Sequence, residues 1–106
     1  MNTSKNEELS EFRRAIDEID SAIVPLFNKR MAISKKVAQI KSNQSWAVQD
    51  KDREAQVIQN ALKLADDEFT EETTIMMRVL MHLSRKYQHR AMHSGGTVQS
   101  SSPASE

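Results

Sequence analysis

The sequence predicts an all-α chain with one very long N-terminal helix. Three observations carry this. Glycine occurs only at Gly95 and Gly96, and proline only at Pro25 and Pro103, so turn signals are almost missing ahead of residue 95. Apolar residues recur three and four apart at Leu9, Phe12, Ile16, Ile19, Ile23, Leu26, Ile33, Val37 and Ile40, which marks one face of a helix. Two polar residues that suit helix starts, Asp50 and Thr70, stand ahead of two further amphipathic runs.

Composition narrows the function classes. With 106 residues, 38% hydrophobic and 28% charged, the chain is expected to be one small globular domain. Fifteen cations balance fifteen anions, which argues against a nucleic-acid binder working by electrostatics. There is no cysteine, so disulfide and thiolate chemistry are excluded. The opening residues are polar and acidic without an apolar core, unlike a signal peptide. No apolar run approaches the roughly 20 residues that span a bilayer, and a cytoplasmic protein without membrane partners is expected.

Residues 1–6 are expected to be disordered, 7–93 to form the helical domain, and 94–106 to be a flexible Ser/Gly-rich tail or linker. The first helix should run from about Glu7 to Ser42. Its acidic start (Glu7, Glu8, Glu11) and basic end (Lys35, Lys36, Lys41) suit the helix dipole. At 1.5 Å per residue such a rod is roughly 54 Å long. The rest of a chain this size cannot cover it, so a homodimer is expected. Pro25 should kink the helix without ending it, because the apolar register continues past it.

Asn43 to Gln49 reads as a loop carrying the only tryptophan, Trp46. Asp50 reads as the N-cap of a second helix reaching about Ala65, with Ala55, Ile58, Ala61, Leu62 and Ala65 inward. Asp66 to Phe69 is a short connection. Thr70 is placed as the cap of a third helix, with Glu71 and Glu72 in its first turn. That helix should face inward with Met76 or Met77, Leu80, Leu83 and Tyr87, and fade between Arg90 and His93.

Polar residues then stand where apolar ones belong. Residue 30 is the one place in the first helix's register that is not apolar, and it holds an arginine. Lys41, eleven residues on, lies only about 20° round the axis from Arg30. Ser84 and Gln88 lie four apart beside the third helix's apolar face. Singly each has an ordinary explanation. Cations at a stripe edge bury their stems and keep their heads in water. Asp50 is a cap, Arg53 and Glu54 are a solvated helix face, and Ser84 and Gln88 are surface polar groups. Together they suggest more. Buried cations cost several kcal/mol each unless paired, so two of them beside few anions call for an anionic ligand. A dianionic small molecule held between helices fits.

Other patterns carry less. His89 and His93 are four apart but lack a nearby acidic or thiolate partner, so no metal is expected. The methionines read as core filler. Nothing resembles a phosphate loop, a nucleophile elbow or a zinc motif.

With these positions in view, the sequence resembles the all-helical, AroQ-class chorismate mutase family from about Leu9 to Gln88. FRRAIDEIDSAIVPLFNKR is similar to the family's first-helix signature. KSNQSWAVQDKDRE is similar to its lysine, loop and Asp-x-x-Arg-Glu segment, and SRKYQ to its closing Ser-x-x-x-Gln. The resemblance implies a three-helix chain that pairs into an intertwined helical homodimer. It also implies the rearrangement of chorismate to prephenate, in phenylalanine and tyrosine biosynthesis, without a cofactor. By the same resemblance Arg13 is donated across the dimer, and Arg30 binds a substrate carboxylate in its own chain's site. Lys41 and Gln88 flank the ether oxygen. Glu54 takes the ring hydroxyl with Asp50 beside it, and Arg53 and Ser84 complete the lining. Pro25 and a short connection between the second and third helices depart from the pattern. Two alternatives stay open: an isochorismate pyruvate lyase of the same fold, and a non-catalytic helical dimerisation or regulatory module. The tail equally suits a linker to a dehydratase, dehydrogenase or synthase domain.

Overall fold

The computed structural model describes residues 2–95. They form α1 (Asn2–Asn43), α2 (Lys51–Leu64), a 3₁₀ turn (Asp67–Phe69) and α3 (Thr70–Gly95). Among the described residues there is no strand, as expected for an all-α chain. No described helix is long and apolar enough to cross a membrane. The chain divides into two compact units, Met1–Ala32 and Ile33–Glu106, with α1 contributing to both.

In the first unit, α1 begins at Asn2 instead of the expected Glu7. Residues 2–6 therefore belong to the helix, and Lys5 pairs with Glu8 one turn on at 3.6 Å. Pro25 sits inside α1 and does not end it. It has no N–H to offer the Ser21 carbonyl. The apolar face is not buried within the chain: Phe12, Ile16, Ile19, Ile23 and Leu26 remain 53–63% exposed.

In the second unit the buried residues are few and evenly divided by polarity. Ala38, Val48 and Met81 are the apolar ones, and Ser34, Ser84 and Gln88 the polar ones. α2 packs against α3 but buries none of its own residues fully. Ala55, expected inward, is exposed, while Ile58, Ala61, Leu62 and Ala65 are half-buried as expected. On α3, Leu80, Tyr87 and the Met77 alternative are half-buried as expected, while Leu83 is not. Met81, Ser84 and Gln88 are buried, with Met77 and Leu80 half-buried, whereas Met76 and Leu83 face out. The inward set at 77, 81, 84 and 88 steps four, three and four, so the two polar residues lie within the inner stripe itself.

Two helix ends differ from expectation. Thr70 does not cap α3. It has helical dihedrals, and its hydroxyl donates to the Asp67 carbonyl at 2.9 Å. The 3₁₀ turn runs straight into the helix, leaving no extended residue where a cap would sit. α3 also continues to Gly95, past the expected fade near Arg90–His93. The expected tail falls, from residue 96 on, outside the described residues.

Candidate functional site

The end of α1 sets the position of Lys41. Ser45 takes a left-handed conformation, φ 60°. Its N–H donates to the Ser42 carbonyl at 3.1 Å, and the Trp46 N–H donates to the Lys41 carbonyl at 2.7 Å. This pair of bonds is a Schellman closure, with serine where glycine is usual. The turn reverses the chain, so that the Lys41 ammonium donates to the carbonyl of buried Val48. Lys41 is half-buried. Beside it lies an open depression of about 530 Å³, lined by Lys41, Trp46, Gln49 and Asp50 among others.

Asp50 then starts α2. It is extended, and its Oδ1 accepts from the Arg53 N–H at 3.0 Å, so it is the N-cap the sequence predicts. The Glu54 N–H bonds back to the Asp50 carbonyl at 3.0 Å. Arg53 and Glu54 then diverge. Arg53 is exposed and donates along its own helix to Gln56 at 3.3 Å. Glu54 is half-buried and accepts from Arg85 of α3 through Oε2. Its Oε1 accepts from Gln49 Nε2 at a long 3.4 Å.

α3 supplies the buried polar stripe. The Ser34 hydroxyl, on the α1 residues of this unit, donates to the Ser84 hydroxyl at 3.2 Å. One turn on, Gln88 is 7% exposed, and its Oε1 has no hydrogen-bond partner among the described residues. A buried amide oxygen without a partner costs about 1–3 kcal/mol. An amide can also turn about its last side-chain bond and present its NH₂ at the same point.

Six of the eight sequence-predicted residues (Lys41, Asp50, Arg53, Glu54, Ser84 and Gln88) lie in the second unit. Direct bonds tie Ser84 to α1, Glu54 to α3 and Lys41 to the loop, while Arg53 turns away from them. Arg13 and Arg30 lie in the first unit, Arg13 exposed and Arg30 half-buried. Sequence reasoning missed Ser34 and Arg85. Ser34 falls beside the apolar register and gives no signal until α3 is opposite it. Arg85 is one of several cations in a helix, and its partner is 31 residues away. Among the described residues no three metal-ligating side chains come together.

Lys41, Glu54, Ser84 and Gln88 are thus polar side chains held at partly or fully buried positions of a helical chain. The comparisons are specific. Residues 12–89, which include all eight candidate positions, match the family described as chorismate mutase type II. The chain belongs to that family. It is 35% identical over 66 residues to a chorismate mutase of Methanocaldococcus jannaschii, covering 62% of this chain and 67% of that one. It is 36% identical over 58 residues to a bifunctional chorismate mutase/prephenate dehydratase of Aquifex aeolicus, covering 55% of this chain. The match spans 16% of the Aquifex protein's length. No solved structure matches significantly.

Proposed function

We propose that the protein is a chorismate mutase, converting chorismate to prephenate as a homodimer. Family membership supports the reaction class. The observation that carries the site is the buried Gln88 amide, whose Oε1 finds no hydrogen-bond partner among the described residues.

The rearrangement breaks one C–O bond and forms one C–C bond within a single molecule, with no net proton or electron transfer. The protein's work is therefore to hold the enolpyruvyl side chain over the ring and to stabilise developing charge. Arg30, with Arg13 from a second copy, grips the two carboxylates, since guanidinium geometry matches carboxylate. Glu54 accepts the ring hydroxyl, with Asp50 at the helix start beside it. Ser84 lines the carboxylate side, and Arg53 joins it on releasing Gln56. As the C–O bond lengthens, negative charge grows on the ether oxygen. Lys41 and the turned amide of Gln88 donate to it more strongly in the transition state than in the ground state.

The exposed face of α1 supports a second copy. Burying a Leu, Ile or Phe side chain contributes about 1.5–3 kcal/mol, and that face leaves several unburied. A second copy covers it and brings Arg13.

The test is product analysis with chorismate and, separately, isochorismate, using Lys41→Ala as control. Prephenate that disappears in the variant supports the reading. Salicylate and pyruvate as the dominant products would move the protein to the lyase alternative. Inactivity on both would leave a structural helical module. The shared site has its own test. Arg13→Ala and Lys41→Ala, each inactive alone, should recover about a quarter of wild-type activity when unfolded and refolded together, through mixed dimers with one intact site.

A further inference from the structure

We propose that Arg85 is a positioning residue that acts through Glu54, fixing which carboxylate oxygen receives the substrate hydroxyl and offsetting the charge of Glu54 beside an anionic substrate. The proposal rests on the role of Glu54 given above.

The two oxygens of Glu54 are not equivalent. Oε2 is committed to the Arg85 guanidinium. Among the described residues Oε1 has only Gln49, at 3.4 Å, near the far limit of a hydrogen bond. A carboxylate has about four acceptor positions. Here the strongly held oxygen sets the plane of the group, and the lightly held one faces a new donor. Substrate hydroxyl therefore binds Oε1, displacing or sharing Gln49, while Arg85 keeps Oε2.

Placement on α3 supports this. At 100° per residue, Ser84, Gln88 and Arg85 fall at roughly 0°, 40° and 100° round the helix. Arg85 thus borders the buried polar stripe. The side chains of the pair are 27% and 23% exposed, so water screens them only in part. Within that environment a bare carboxylate would repel a dicarboxylate substrate. The guanidinium removes most of that repulsion while leaving Glu54 able to accept. Arg85 need not touch substrate for either effect.

An ordinary helix-to-helix ion pair would behave differently, because its loss would lower stability without coupling to Glu54 in the kinetics. The experiment is a double-mutant cycle on chorismate with wild type, Arg85→Ala, Glu54→Gln and the double variant, reading kcat and KM, with urea unfolding alongside. Arg85→Ala should lower kcat/KM about tenfold in the wild-type background and leave it nearly unchanged in the Glu54→Gln background. Arg85→Lys should recover most of the loss. Arg85→Gln, closer in shape, replaces the alanine variant if that one fails to fold. Equal losses in both backgrounds would overturn the proposal, because Arg85 would then act independently of Glu54. A lower unfolding midpoint with unchanged kcat/KM would overturn it too, leaving a structural bridge. A wild type unable to turn over chorismate would instead sink the functional reading beneath it.

Discussion

The ammonium of Lys41 donates to the backbone carbonyl of Val48, seven residues along the chain, across the turn that ends α1. The Lys41 carbonyl is held by the same loop through the Trp46 N–H. The cation is therefore restrained at its backbone and at its tip, and two of its three protons stay available to a ligand. Under the proposed mechanism, replacing it with alanine removes the charge from the ether oxygen; it also strips a partner from the carbonyl of a residue only 2% exposed. Lys41→Ala should lower kcat at least about 10²–10³-fold. It should also lose about 1–3 kcal/mol of stability in urea unfolding. Turnover like the wild type would refute the assignment.

Gln88 is neutral, so its donor is present at any pH near neutrality. A glutamate there donates only when protonated, and burial favours the neutral form. Gln88→Glu should therefore be active at acid pH and lose rate as pH rises through the carboxyl pKa, while wild type shows no such fall. A pH–rate profile of kcat/KM checks this. A flat profile for the variant would remove Gln88 from the ether oxygen.

Ser34 Oγ and Ser84 Oγ are 3.2 Å apart, both in buried residues. Ser34→Ala removes one buried hydroxyl and leaves Ser84 less firmly placed. The expected cost is about 1 kcal/mol of stability, together with a several-fold rise in KM and little change in kcat. Steady-state kinetics separates the two parameters.

Ser45 carries a side chain through a left-handed conformation that costs a residue other than glycine about 1–2 kcal/mol. Glycine regains part of this against its greater freedom when unfolded. Ser45→Gly should stabilise the chain by about 0.5–1 kcal/mol. Denaturant titration would detect it, and an unchanged midpoint would mean that the strain is relieved elsewhere.

The helices were legible because their signals are local. The three-and-four spacing fixed α1 through Pro25, and Asp50 marked the start of α2 by the chemistry of a cap. The inner face of α3 was not legible in the same way. Met76 and Met77 are adjacent and equally apolar, while Ser84 and Gln88, which are buried, read as polar, so apolarity alone put Leu83 inward. Thr70 misled because a 3₁₀ turn competes with a cap for the same residues. Arg30, Lys41, Ser84 and Gln88 stood out as polar residues on or beside apolar faces, whereas Arg13, Asp50, Arg53 and Glu54 were assigned through the family resemblance. Ser34 and Arg85 appear only as partners of those residues, through contacts 50 and 31 residues apart in sequence, and such contacts leave no periodic trace.

On α1, Phe12, Ile16, Ile19, Ile23, Leu26, Ile33 and Ile40 each keep more than half of their surface in water. Under the proposed pairing, the burial that would hold these residues comes from another molecule, and folding becomes a second-order event. Dilution then acts as a denaturant, because the stability of an obligate pair depends on protomer concentration. Halving the protein concentration would lower the folded fraction, most steeply near the dissociation constant of the pair, and specific activity would fall with abundance without any dedicated regulator.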